Sequence, residues 1–114
     1  MREYHINANE VLMIRATTPT HIFTFDEEVP VVDNKKILIT YKQCGRVVLN
    51  KTGEDLIIDG DNNQVAVDFT QQEVNMFQPG EAFIQVRVKN GINKVLASQI
   101  LKIMIKPVLN QEVL

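Results

Sequence analysis

The sequence holds a single cysteine, Cys44, and no tryptophan. One thiol excludes an intrachain disulfide and any metal cage built from several cysteines, and it suits a chain that folds in a reducing compartment. Without tryptophan, and with Tyr41 and most phenylalanines on phases expected to face inward, only Tyr4 remains as a stacking platform for a sugar. Charge of one sign is also lacking. The formal net charge is −2, whereas a nucleic-acid binder neutralises several phosphates with clustered Lys and Arg. The basic residues (Lys35, Lys36, Lys42, Arg46, Lys51, Arg87, Lys89, Lys94, Lys102 and Lys106) are scattered, mostly alternating with apolar ones. That spacing describes solvated strand faces. Long hydrophobic runs are missing too. The longest, residues 95–105, is interrupted by Ser98, Gln99 and Lys102 and falls far short of the ~20 residues that span a bilayer. The N-terminal residues contain no apolar stretch of signal-peptide length. A soluble protein of the producing cell's cytoplasm is expected, unless it leaves within a larger particle, with neither nucleic acid nor membrane as partner.

What is present is β-branched. Val and Ile make up about a quarter of the chain, and such side chains sit easily on a pleated surface but crowd a helix. A length of 114 residues fits one domain, able to bury roughly two-thirds of its unfolded surface without staples. Strand-like segments recur with turn signals at short intervals, as in a sandwich or barrel. They are expected at 10–16, ended by Thr17-Thr18-Pro19, and at 21–26, with Phe23 and Phe25 on one face. Residues 27–34, acidic and containing proline, read as a loop. At 36–43, Ile37, Ile39 and Tyr41 oppose Thr40 and Lys42. Cys44-Gly45 reverses the chain into 46–51, and Thr52-Gly53 reverses it again into 55–59. Gly60 to Asn63 turn it into 64–69, where Val65, Val67 and Phe69 point inward.

The cleanest alternation is at 81–89, with Ile84, Val86 and Val88 against Gln85, Arg87 and Lys89. Asn90-Gly91 signals a hairpin. The last strand, 94–106, changes phase near Ser98 and Gln99, which predicts a bulge or bend. One segment departs from this pattern. Thr70-Gln71-Gln72-Glu73 has the spacing of a capping box, and Val74 and Phe77 lie three apart before Pro79-Gly80. A short helical corner plugged into the core by Phe77 is expected. The tail, 107–114, fits no amphipathic period. The fold expected is all-β, an immunoglobulin-like antiparallel sandwich of seven or eight strands and one helical corner, in a single domain over residues 1–114. Its core should contain Phe23, Ile37, Ile39, Tyr41, Val67, Phe69, Phe77, Ile84, Val86 and Val88.

Candidate chemistry is thin. Asp59-Gly60-Asp61-Asn62-Asn63 begins like a calcium loop, but Gln64 stands where glycine is needed and Thr70 where the closing glutamate belongs, so a polar hairpin turn is the better reading. His5 and His21 are the only histidines, and His21 shares the phase of Phe23, which suggests a partly buried or rim imidazole and not a ligand. Cys44 would need an activating neighbour and an orienting third group to act as a nucleophile; a hairpin turn, where any small residue serves, accounts for it. No catalytic, cofactor or metal residue is assigned, and a non-enzyme is expected. Exposed edges, at 11–14 or 46–51, are the places where partner proteins would dock.

Several stretches look familiar together: Ile14-Arg15-Ala16-Thr17-Thr18-Pro19-Thr20 before the Phe23–Phe25 strand, Ile39-Thr40-Tyr41-Lys42-Gln43, Phe69-Thr70-Gln71-Gln72-Glu73 leading through Phe77-Gln78-Pro79-Gly80 into Ile84 to Lys89, and Val95-Leu96-Ala97-Ser98. From about residue 9 to residue 109 the series resembles small proteins encoded among the tail genes of phages and prophages of Gram-positive bacteria. It is similar, more loosely, to the immunoglobulin-like N-terminal domain of the phage baseplate upper protein. The resemblance implies a non-enzymatic tail or baseplate component that contacts other tail subunits, is expected to form a homo-oligomer, and reaches the virion. The baseplate protein continues into a long extension carrying receptor-binding parts, which is missing here, so a small adaptor or decoration protein is expected. The alternative is an intracellular interaction module with no virion role.

Overall fold

The structure, a computed structural model, describes residues 3–4, 6–8, 12–31, 34–92, 94–109 and 114. Eleven strand segments form two sheets. They are β1 (Glu3–Tyr4), β2 (Ile6–Ala8), β3 (Leu12–Ile14), β4 (Thr20–Phe25), β5 (Asn34–Gln43), β6 (Arg46–Thr52), β7 (Leu56–Asp59), β8 (Gln64–Asp68), β9 (Gly80–Asn90), β10 (Val95–Ser98) and β11 (Leu101–Lys106). The helical corner α1 spans Gln71–Val74. Counting β1–β3 as one interrupted strand and β10–β11 as another leaves the eight strands of a sandwich.

The larger sheet is ordered around β9. One of its edges carries β5, then β6; the other carries β11 along its first half and β10 along its second. The smaller sheet runs β2-β4-β8-β7. Among the described residues every pairing is antiparallel but two: β1 runs parallel to β10 and β3 parallel to β11. The first strand therefore starts on the large sheet, crosses to the small one as β2 and returns as β3. Of the strand expected at 10–16, Leu12–Ile14 is strand, residues 10 and 11 lie outside the described residues, and the far end is corrected, the chain turning at Arg15 and at Ala16, φ 60.

Alternation predicts the core well. All ten expected residues are buried, and Met13, Phe25, Val29, Val31, Val65, Val74, Ala82, Ile103 and Ile105 join them. Residues 27–31 form the expected loop, but Val29 and Val31 are buried within it. Asn63 ties them in from the β7–β8 turn. Its Nδ2 donates to the carbonyls of Phe25 and Asp26 at 3.0 and 2.9 Å, and its Oδ1 accepts the Val31 amide at 2.8 Å. At φ 53 it occupies the left-handed region that asparagine tolerates better than most residues. Asn63→Ala should lower stability by about 2 kcal/mol, because buried backbone groups lose their partners; chemical denaturation measures it, and a loss below about 0.5 kcal/mol would sink the assignment.

The other turns follow local chemistry. Cys44 (φ 53) and Gly45 (φ 75) form the two-residue reversal between β5 and β6, with the positive φ at both positions that a type I′ turn requires. Position 44 is thus chosen by backbone angle more than by size. Past Thr52 the chain makes a 3-10 turn over Gly53–Asp55. Asn90-Gly91 does not form the tight two-residue hairpin. The Asn90 amide donates to the Lys94 carbonyl at 3.0 Å, while its Oδ1 accepts the amides of Ile92 and Lys94, so a longer loop is capped by the asparagine side chain. The expected break at Ser98 is real. Ser98 Oγ takes the Val86 amide at 3.0 Å in place of a backbone carbonyl, separating β10 from β11.

At the corner, Thr70 Oγ1 accepts the Glu73 amide at 3.1 Å and Glu73 Oε1 accepts the Thr70 amide at 2.9 Å. This reciprocal cap satisfies two donors of the first turn. Val74 and Phe77 are fully buried. The exit is held by Gln43, whose amide group donates to the Gln78 carbonyl and accepts the Gln78 amide, both at 2.7 Å. At the C-cap of α1, Asn75 ties the corner to the β3–β4 turn, its Oδ1 accepting the Ala16 amide at 2.9 Å. Two side chains thus lock the corner.

Candidate functional site

The ionisable groups singled out in the sequence do not meet. His21 projects from β4 into the space between the sheets and is fully buried, not at a rim. Its Nδ1 lies 2.7 Å from the Tyr41 hydroxyl on β5, so one polar contact spans the two sheets inside an aromatic cluster. The Tyr41 ring meets Phe69 and Phe77 edge-on at 5.2 and 6.0 Å. Burial pushes the Tyr41 phenol well above its usual range, because a phenolate would have to form away from water. Cys44, by contrast, lies exposed at the β5–β6 turn. A buried imidazole and an exposed thiol do not share a reacting surface. His5 lies outside the described residues, as does the Tyr4 side chain.

The acidic turn is organised by its own side chains. Asp59 accepts both the backbone amide and the Nδ2 of Asn62, at 3.2 and 2.7 Å, and these bonds, the side-chain one foremost, hold its carboxyl below the usual range. Asn63 is committed to the β4–β5 loop. Among the described residues no three His, Cys, Asp or Glu side chains gather as metal ligands would, and no helix among them is long and apolar enough to cross a membrane.

Lys51 corrects the picture of uniformly solvated bases. Its side chain is buried on β6, its Nζ is 2.7 Å from Glu73 Oε2, and it stands 5.1 Å from the Phe69 ring centroid. Register sets Lys51 opposite Ile39 on the inward phase of the large sheet, and Glu73 of α1 partners its ammonium group there. No local signal marks this.

The surfaces are more informative than the interior. On the large sheet, Ile37, Ile39, Tyr41, Ile84, Val86 and Val88 face in, so the intervening residues face out. Register places Val47, Lys42, Phe83 and Lys102 in one row across β6, β5, β9 and β11. Val47 is 56% exposed, Phe83 38% and Ile100, beside them, 64%. They frame a shallow depression with Thr40, Gln85 and Arg87. Phe83 is thus the outward phenylalanine, while Phe23, Phe25, Phe69 and Phe77 face in, as expected of most. The expected docking edges are also where the ladder ends: among the described residues β6 pairs only with β5, and β3 only with β11.

Two sheets, a first strand that passes from one to the other and back, and a capped corner between β8 and β9 define an immunoglobulin-like β-sandwich. No family model matches the sequence and no curated protein matches it. Solved structures do. CopC from Methylosinus trichosporium OB3b superposes with a TM-score of 0.58 over 95% of this chain and 98% of that one, at 12% identity. A likeness at that identity is one of fold.

Proposed function

We propose that this chain is a non-enzymatic assembly protein that works through protein–protein contacts, as a component of a phage or prophage tail or baseplate. The observation that carries the assembly reading is the outer face of the large sheet, where Val47, Phe83, Ile100 and Met104 are exposed among charged side chains. Apolar groups grouped on one face and rimmed by polar ones mark interaction surfaces. The tail assignment rests on the sequence resemblance alone.

Two measurements test it. The genes flanking this one should encode tail, baseplate or lysis proteins, and purified particles from an induced producer should contain the chain by mass spectrometry. Absence from the particles while the protein is abundant in the same lysate removes the virion role and leaves the intracellular module.

A further inference from the structure

Six of the bases that look scattered in sequence lie on one side of the molecule. Lys36, Lys42, Arg87, Lys89, Lys102 and Lys106 are all exposed and alternate with the buried residues of β5, β9 and β11, so all six project from the outer face of the large sheet. Glu81 is the one acid among them, within 3.6 Å of Lys102. The small sheet is the reverse. The sequences of β2, β4, β7 and β8 contain no lysine or arginine. Its outward charges are Asp59 and Asp68, and the turns that feed it add Glu54, Asp55 and Asp61. A chain with a net charge of only −2 is therefore basic on one broad face and acidic on the opposite one.

Both faces also carry an apolar row. On the large sheet it is Val47 and Phe83, beside Ile100. On the small sheet register aligns Ile22, Ala66 and Ile57 across β4, β8 and β7, with Ile57 55% exposed. Sign and hydrophobicity match between the two faces of the same molecule. A foreign acidic protein would satisfy the basic face alone; a second copy satisfies both at once.

We propose that the basic outer face of the large sheet binds the acidic outer face of the small sheet of a second copy of this chain. The contact is heterologous, joining two different surfaces, so each added copy leaves one of each face open, and the product is a ring or an open stack and not a closed dimer. A strand spacing of about 4.8 Å and a rise of about 3.4 Å per residue give the large face a span near 20 by 35 Å. That is close to the ~800 Å² per partner of a standard interface. The small face is narrower and relies on its acidic turns, so the contact is weak and sensitive to salt.

This rests on the assembly reading above, and the two fail separately. Light scattering and sedimentation on the full chain supply the test, with two variants whose folding is checked by circular dichroism and melting. Of the charges named, Lys42→Glu with Arg87→Glu takes the large face from six bases and one acid to four bases and three acids, and Asp61→Lys with Asp68→Lys takes the small face from five acids to three acids and two bases, so each removes most of one face's excess charge. At low salt the wild type should rise with concentration above its monomer mass of 13.0 kDa and return to it in about 0.5 M salt. Each folded variant alone should stay monomeric, and an equimolar mixture of the two should associate again. A wild type that is monomeric up to about 1 mM, near the weak limit of specific association, overturns the proposal, as does association that neither variant weakens or a mixture that stays monomeric. A monomeric wild type that binds a fluorescent oligonucleotide through Lys42 and Arg87 gives the face to nucleic acid and also overturns it. A monomer found in purified tails leaves the assembly role standing and removes only the self-contact.

Discussion

Replacing Phe77 with alanine is expected to cost about 3–5 kcal/mol, the largest loss of any single truncation here. Domains of this size have total stabilities of about 5–15 kcal/mol, so the variant should be close to unfolding at physiological temperature. The size of the effect comes from position. Phe77 is fully buried and packs edge-on to Tyr41, at the point where the chain crosses from the small sheet to the large one. Its surroundings are poorly placed to collapse into the cavity, because the corner is held by both Gln43 and Asn75. Urea denaturation of the purified variant measures the loss. A change below about 1 kcal/mol would mean that the corner floats over the core and is not wedged into it.

The second large effect is an asymmetry between two partners. Glu73→Ala should destabilise by about 2–3 kcal/mol, while Lys51→Met should cost less than about 1 kcal/mol. Removing the glutamate strands an ammonium group on a side chain only 8% exposed and deletes half of the α1 cap. Replacing the lysine keeps the methylene stem over Phe69 and leaves a carboxylate that is 26% exposed, still hydrated and still capping. The upper range for breaking a buried pair is reduced here because water reaches the glutamate.

Acid gives an independent view of the same pair. Burial pushes the Glu73 carboxyl up, but the hydrogen bond from Lys51, the Thr70 amide and the Lys51 charge together hold it below its usual value. A carboxyl depressed in the folded state contributes stability that is complete above its unfolded pKa of about 4.3 and is lost as pH falls through the folded value. The wild type should therefore lose stability below about pH 4.5 more steeply than Glu73→Gln. Parallel acid limbs for the two proteins, or a larger loss in Lys51→Met than in Glu73→Ala, would dispose of this account.

Alternation made the long strands legible. Where inward and outward residues repeat every second position, as in β4, β5, β8 and β9, both the strand and its buried face were readable, and the Thr70–Glu73 spacing marked the corner because capping is local chemistry. What stayed hidden was non-local. Val29 and Val31 are buried because Asn63, more than thirty residues on, supplies the hydrogen bonds that let their loop fold inward. Lys51 is tolerated inside because Glu73, on α1, partners it. The division of β1, β2 and β3 between two sheets depends on partners at opposite ends of the chain.

The candidate surface was hidden for a different reason. A two-residue period separates inside from outside, but a sandwich has two outsides, and the sequence does not say which of them a lysine on β5 shares with a lysine on β11. Six of the bases therefore looked dispersed along the chain although they converge in space.

The parallel ladders that join the two chain ends constrain biosynthesis. Glu3 pairs with Ala97, and Ile14 with Lys106, so the opening strand has no berth on the large sheet until residues 97–106 have left the ribosome. Until then its edge is unpaired, and loop closure across some ninety residues must precede any reward. A nascent chain stalled before residue 95 would hold a half-built sandwich with that edge open to the nearest neighbour.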